Sequence, residues 1–371
     1  MVRKIQEIAA GSLVVGNLPG GCTICRKGSK MVFFVTGLCD SNCFYCPLSQ
    51  EKAGKDVVFA DEMPITNDSD VLYEVDAIGG EGAGFSGGDP LCRLDRTIHY
   101  ISFLKANRGE DFHIHLYTSI TDVKIDVLRR LQDAGLDEIR FHPQTQDWTG
   151  IEKALQTNMD VGIEVPALPE RLTNLKELAR RAEDIGVSFM NLNELEASET
   201  NFERLVALGM RLTSMDSASI AGSSTLAKEF VQWASENLDE LNVHYCTARF
   251  KDAIQMRRRL ERRLERTKRE FEEKDDSEPL LILGVIRAPH GSTLTISDLK
   301  SIEYILQTEF DVPTELMNVD TMRMRIELAS WILDEIAHQL KPLLTGISPI
   351  EMGISFEYPS WDRLQTLFDP F

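Results

Sequence analysis

The chain has 371 residues and carries 40 Lys and Arg against 59 Asp and Glu, a formal net charge of −19. That balance excludes a protein that coats nucleic acid or anionic membrane through bulk positive charge. No run approaches the roughly 20 apolar residues of a membrane span, and Met1-Val2-Arg3-Lys4 is not followed by the apolar core of a signal peptide. Five of the seven cysteines fall between Cys22 and Cys46. Clustered in this way they read as metal or cluster ligands in a reducing, cytoplasmic compartment, not as a disulfide scaffold.

Residues 1–30 read as a short, turn-rich extension in which Pro19-Gly20-Gly21 leads into Cys22-Thr23-Ile24-Cys25. Met31 to Val35 is a continuous apolar run and predicts a buried parallel strand. From there to about residue 200, strands alternate with helices. Ala83 to Ser86 is a strand ending in glycines, Leu94 to Asn107 a helix, Phe112 to Tyr117 a strand, and Asp126 to Ala134 a helix stopped by Gly135. Glu138 to His142 is a strand closed by Pro143. Ile151 to Thr157 reads as a helix, Val161 to Val165 as a strand, Asn174 to Ile185 as a helix and Val187 to Leu192 as the sixth strand. The alternation predicts an α/β fold: a full or partial TIM-like (β/α)6 barrel over 31–200, with its chemistry at the carboxyl ends of the strands. Residues 201–278 read as a helical extension with one long helix over 250–271, closed by the charged linker Lys274 to Pro279. Strand-like Leu280 to Ile286 and Glu351 to Tyr358, with helices over 297–308 and 321–340, predict a small α+β domain over 279–371.

The strongest chemical signal is Cys39-Asp40-Ser41-Asn42-Cys43-Phe44-Tyr45-Cys46, directly after the first barrel strand. Three thiolates on one loop can each take one iron of a 4Fe–4S cube. Such clusters normally take four cysteines, so a set of three leaves one iron open to a small molecule. A structural zinc loop with a distant fourth ligand is the alternative. The strand before the loop and the glycine-rich strand end after it favour the cluster.

This spacing, with aromatic Tyr45 before the last cysteine, resembles the signature of the radical S-adenosylmethionine superfamily. Ser86-Gly87-Gly88-Asp89-Pro90 follows one strand later and resembles that family's Gly-Gly-Glu-Pro motif. The loop looks closest to activating enzymes of the pyruvate formate-lyase activase type, and the whole chain is similar to an archaeal group related to them. The resemblance implies a 4Fe–4S cluster on Cys39, Cys43 and Cys46, and S-adenosylmethionine chelated at its open iron. Reductive cleavage would then give a 5′-deoxyadenosyl radical that abstracts a substrate hydrogen. It also implies an electron donor such as ferredoxin or flavodoxin. Tyr45 is expected near adenine, and Gly87, Gly88 and Asp89 at the methionine amine. Thr118 and Ser119 are expected near the methionine carboxylate and ribose, and Glu164 at ribose. Arg140, His142, Asn191, Asn193 and Glu194 end neighbouring strands and are further candidates. The substrate stays open among a protein, a tRNA and a small metabolite, with no membrane partner.

Cys22 and Cys25 have the bite of a tetrahedral metal site, and His244-Tyr245-Cys246 alternates on a strand-like stretch placed beyond the barrel. Cys22, Cys25, His244 and Cys246 are therefore expected to make a Cys3His zinc site joining the two ends of the barrel, with an auxiliary iron–sulfur cluster as the rival. Eight basic residues over 257–269 read either as an RNA-facing helix or as a solvated face laced with i,i+4 pairs. The second is favoured because no aromatic stacking residues interleave them. A noncatalytic zinc or iron–sulfur scaffold is the functional alternative to an enzyme.

Overall fold

A computed structural model describes residues 2–347 and 349–371. The chain divides into two units, residues 1–259 and 260–371, where the sequence suggests four segments. The first unit holds eleven strands: β1 (Ile5–Glu7), β2 (Leu13–Val15), β3 (Lys30–Phe34), β4 (Phe59–Ala60), β5 (Met63–Pro64), β6 (Gly82–Ser86), β7 (His113–Thr118), β8 (Glu138–Phe141), β9 (Asp160–Ala167), β10 (Phe189–Glu194) and β11 (Asn242–Cys246). They form one sheet in the order β1-β2-β11-β10-β9-β8-β7-β6-β3-β4-β5. From β3 to β11 the neighbours are parallel, and antiparallel β2 and β4 flank the two ends. The sheet is a partial TIM-like barrel.

Two expectations change here. The barrel has seven parallel strands rather than six, because Asn242–Cys246 pairs in register with β10. His244 and Cys246 are thus barrel residues, and the supposed extension over 201–241 is an insertion between two barrel strands. The N-terminal residues are not a separate appendage either, since Leu13–Val15 pairs with β11.

The helices of this unit are α1 (Gly20–Arg26), α2 (Asp68–Ile78), α3 (Leu94–Arg108), α4 (Ile125–Asp133), α5 (Thr149–Ala154), α6 (Leu172–Asp184), α7 (Phe202–Ala207), α8 (Ser223–Asn237) and the single turn α9 (Ala248–Phe250). Local chemistry sets their ends. Asn67 and Asp70 close a capping box at the start of α2, and Gly79 at φ +58° ends it. Outward-facing residues such as Ile114, Leu116, Ile139 and Ile163 are fully buried under the helices. Their neighbours along each strand are polar and point inward: His113, His115 and Tyr117 on β7, then Glu138 and Arg140 on β8. The inner face is therefore a polar chamber rather than an aliphatic core.

Residues 251–256 form a π-helical turn that continues into α10 (Arg257–Thr267). The expected uninterrupted helix over 250–271 is thus broken at a π turn and ends earlier. Four of the basic residues bond within their own unit. Arg258 bonds the Arg26 carbonyl at 2.8 Å and Arg259 pairs with Asp61. In the second unit Arg263 bonds the Pro359 carbonyl, and Arg269 pairs with Glu272 and Glu327. Guanidiniums engaged this way are drawn into intramolecular contacts, while Arg266 and Lys268 stay exposed.

The second unit is an antiparallel sheet of β12 (Glu273–Lys274), β13 (Leu281–Arg287), β14 (Met317–Asp320), β15 (Arg325–Leu328), β16 (Glu351–Glu357) and β17 (Gln365–Pro370), packed with α11 (Ile296–Glu309) and α12 (Ser330–Leu343). The helix expected over 321–340 begins only at Ser330. Residues 321–324 are instead the turn of the β14–β15 hairpin, with Met324 at φ +51°.

Candidate active site

A cavity of about 600 Å³ opens inside the barrel of the first unit. At its mouth lies the loop after β3. Cys39 is exposed there, Cys43 and Cys46 are half-buried, and all three line the cavity as free thiols. Burial and the neighbouring Cys46 and Cys39 push the Cys43 thiol up, against a lowering hydrogen bond with Tyr45.

The cysteine loop is stitched to the glycine turn after β6. The amide of Gly88 donates to the Thr36 carbonyl at 2.7 Å and that of Asp89 to the Leu38 carbonyl at 2.8 Å. Gly87 sits at φ +146°, and a Cβ there would lie 2.3 Å from the Thr36 oxygen. A Cβ on Gly88 would lie 2.3 Å from the Leu38 oxygen. Both positions therefore require glycine so that two backbones can touch, and both glycines still line the cavity.

Asp89 departs from its expected role. It is 1% exposed. Its carboxylate accepts from the amides of Leu91 at 3.0 Å and Ser119 at 2.8 Å, and from the hydroxyls of Thr118 at 3.0 Å and Ser119 at 2.9 Å. The Thr118 and Ser119 hydroxyl protons are accordingly spent on Asp89, although both residues border the cavity. Ser41 donates to Ser119 at 2.8 Å and ties the cysteine loop to β7. Burial raises the Asp89 carboxyl, and the four donors only partly offset it. Cys92 packs in the short 3-10 turn that Asp89 caps and does not line the cavity.

On the opposite wall Tyr45 bonds His142, which bonds the Glu164 carbonyl at 2.8 Å. The Glu164 carboxylate accepts from Arg140 at 2.7 Å, Asn191 at 2.9 Å and Asn193 at 2.8 Å. Burial alone would raise this carboxyl, but Arg140 and the two amides outweigh it and hold Glu164 below the usual range. Glu164 is thus the centre of a polar strut across β8, β9 and β10, and it lines the cavity.

At the inner end α1 seats Cys22 and Cys25 against the cavity, and β11 brings His244 and Cys246 to it. Burial pushes the Cys22 thiol up to about 11 and His244 down to about 4. Among the described residues, the one set of three metal-ligating atoms within 4.8 Å of one another is His113, His115 and Glu138. Glu138 is already engaged by Gly21 at 3.1 Å and by Arg140, so its negative charge is met without a metal. A single zinc ion holds its thiolates about 4 Å apart. The closed Cys3His zinc site expected from the spacing is therefore not assembled: its four members share a cavity wall but not a coordination sphere.

Lys30, Tyr117, Lys251 and Gln255 also line the chamber and were not singled out by motif. Polar residues at alternate positions of a parallel strand were the available signal for Tyr117, as they were for Arg140 and Asn191.

Residues 33–191 match the profile of the radical SAM superfamily, and residues 280–366 that of a domain of unknown function. A Methanocaldococcus jannaschii protein, provisionally named a glycyl-radical enzyme activating enzyme, is 34% identical over 360 residues, covering 94% of this chain and 91% of the relative. Among solved structures, the methyltransferase TsrM from Kitasatospora setae aligns with a TM-score of 0.36 at 9% identity, covering 68% of this chain and 56% of that one. SuiB from Streptococcus suis, bound to S-adenosylmethionine, aligns with a TM-score of 0.41 at 11% identity, covering 59% and 50%. The chain thus spans about half the length of these solved structures.

Proposed function

Because the chain belongs to the radical S-adenosylmethionine superfamily, we propose that Cys39, Cys43 and Cys46 hold its 4Fe–4S cluster and that the chamber behind them takes the cofactor and the reacting part of the substrate. The protein is an enzyme of the class that cleaves S-adenosylmethionine reductively at such a cluster. The observation that carries the residue assignment is the position of the three free thiols. They line one cavity on the loop that follows β3, as free thiols that can each take an iron of their own.

When bound, the cluster supplies the electron that splits the cofactor into methionine and a 5′-deoxyadenosyl radical, which takes a hydrogen from the substrate. The chain's own residues supply place and enclosure. The backbone pairs between Thr36–Leu38 and Gly88–Asp89 hold the cysteine loop rigidly against the glycine turn. Asp89 fixes Thr118 and Ser119, so the turn presents backbone polar atoms to the methionine end. Tyr45, held by His142, walls the side where adenine would lie. The Arg140–Glu164–Asn191–Asn193 strut fixes the polar far wall and keeps bulk water from the reacting hydrogen.

For the substrate we adopt the activating reading, supported by the relative's name and by identity along nearly the whole chain. In it, a glycine of a partner enzyme is presented at the cavity mouth. A low-potential donor of the ferredoxin or flavodoxin class delivers the electron, in a reducing, cytoplasmic setting. The polar inner wall favours a second reading, a small polar metabolite held wholly inside. Anaerobically reconstituted protein with a candidate glycyl-radical enzyme from the same genome separates them. A glycyl radical signal in the partner, with stoichiometric 5′-deoxyadenosine, supports the first. 5′-Deoxyadenosine formed only with a small molecule, carrying that molecule's deuterium, supports the second. No 5′-deoxyadenosine under any reducing condition defeats both.

A further inference from the structure

The chain between β10 and β11 does more than connect two strands. It leaves the barrel at Leu195 and returns at Ser223, the first residue of α8, and these two residues close its base. The Leu195 amide donates to the Ser223 hydroxyl at 2.8 Å, and that hydroxyl donates to the Ala167 carbonyl at 2.8 Å. Backbone bridges between Glu196 and Ser219 and between Leu212 and Ile220 zip its arms together. Within it Leu195, Leu205 and Ile220 form a small buried core, and Phe44 and Tyr45 pack against that core. The two aromatic residues that separate Cys43 from Cys46 are thus seated on the insertion.

Asn201, at the N-cap of α7, is 1% exposed. An asparagine at this position commonly turns its side chain onto the amides of its own helix, and this one makes no such bond. Its Oδ1 accepts from the Ser198 amide at 2.7 Å, and its Nδ2 donates to the Glu196 carbonyl at 3.1 Å and to the Tyr45 carbonyl at 3.0 Å. The Tyr45 carbonyl belongs to the peptide that leads into Cys46, whose own amide donates to the Cys43 carbonyl at 3.1 Å. Asn201 therefore fixes a peptide plane inside the turn that sets one thiol against the other. Farther out, Arg204 reaches the Asn42 side chain at 3.5 Å. Tyr45 is gripped twice, at its hydroxyl by His142 of the barrel and at its main chain by Asn201 of the insertion.

We propose that the β10–β11 insertion is a clamp that holds the cysteine loop in its cluster-bearing shape and keeps water from it, with Asn201 as the positioning residue. Asn201 does not line the cavity and acts through the Tyr45 peptide. A part-buried carbonyl needs a donor. Without the Asn201 amide the Tyr45 carbonyl turns toward water, and Cys46 turns with it. Leu205 supplies the apolar seat under Phe44 and Tyr45. The consequence for the cluster rests on the assignment of Cys39, Cys43 and Cys46 made above, whereas the grip on the loop does not.

The test compares full-length wild type with Asn201→Ala and Leu205→Ala, first free of iron and then after anaerobic reconstitution. Free of iron, amide deuterium exchange over residues 42–46 is expected to quicken by roughly tenfold in Asn201→Ala, with β7 and β8 exchanging as in wild type. After reconstitution both variants are expected to lose iron to a chelator several-fold faster. Their cluster potential is expected to rise as solvent reaches it and stabilises the more negative reduced state. Asn201→Gln keeps a donating amide and restores part of the protection, whereas Asn201→Asp sets an acceptor against two carbonyls and does not. Unchanged exchange over 42–46 in iron-free Asn201→Ala, or loosening spread evenly over the barrel strands, overturns the clamp. If Asn201→Ala does not fold, the exposed Arg204→Ala is read in the same way, with exchange over 42–46 expected to quicken by roughly threefold and no change overturning the clamp. Wild-type protein that takes up no iron defeats the cluster assignment instead, and the iron-free exchange still decides the clamp.

Discussion

The Tyr45 hydroxyl lies 2.6 Å from His142 Nε2, and His142 Nδ1 lies 2.8 Å from the Glu164 carbonyl. A carbonyl can only accept, so Nδ1 carries the proton and Nε2 must accept from Tyr45. One tautomer is thereby fixed, and the aromatic residue inside the cysteine loop is tied to the strut on β9. Tyr45→Phe removes the donor and leaves Nε2 buried without a partner. Stability in chemical denaturation is expected to fall by about 1–2 kcal/mol, with weaker S-adenosylmethionine binding. A variant as stable as the parent would show that solvent already serves His142.

The acid side of the stability profile follows from the buried imidazoles. His115, His142 and His244 are all held below the usual histidine range, chiefly by burial, His244 at about 4. In the unfolded chain each takes a proton near pH 6.5. Below that pH the unfolded state binds more protons than the native state, so stability is full above about 6.5 and is lost as the pH falls toward 4. His244 alone contributes a loss approaching roughly 3 kcal/mol across that window. Unfolding of metal-free protein in denaturant between pH 8 and 5 measures it. A flat profile below pH 6.5 would contradict the burial.

Asp89→Asn replaces one carboxylate oxygen by a donor facing the donors of Ser119. The expected result is a stability loss of about 1–3 kcal/mol, with cofactor affinity changing less than stability. Parallel calorimetric binding and unfolding decide it. Lost affinity at unchanged stability would return Asp89 to direct contact with the cofactor.

Gly87→Ala and Gly88→Ala each drive a Cβ into a carbonyl oxygen of the cysteine loop. Each is expected to cost at least about 2 kcal/mol and to lower cluster retention during anaerobic gel filtration. Gly54→Ala is the control for a positive φ alone, because at φ +71° its Cβ would meet nothing within 4 Å.

Single Cys→Ala changes at Cys39, Cys43 and Cys46 are each expected to reduce 5′-deoxyadenosine formation to background while leaving the far-ultraviolet dichroism of the chain intact. Retained formation in any one of them removes that residue from the ligand set.

The sequence shows the cysteine loop and the glycine turn because each is a contiguous run of residues. It also shows the six parallel strands β3 and β6 to β10, whose apolar runs alternate with amphipathic helices. The seventh is harder to place. Asn242–Cys246 reads as a strand, but more than forty residues separate it from β10, and the periodicity that assigns a strand to a barrel breaks there. β1 and β2 have three residues each, too few for any period. The role of Asp89 cannot be read locally at all, because Thr118 and Ser119 reach it only through the β6–β7 pairing. The zinc geometry inferred from Cys22-x2-Cys25 has the same weakness. Spacing along a helix says which thiols face one way, and the neighbouring strand decides how near they come.

The pairing of β2 with β11 joins Val15 to Val243, so contacts made by β2 wait for some of the last residues of this unit. Until β11 emerges, β2 can pair only with β1. Such long-range closure slows folding and prolongs exposure of half-built sheet edges. During synthesis, residues around β2 are therefore expected to stay protease-sensitive until about residue 246 has cleared the exit tunnel.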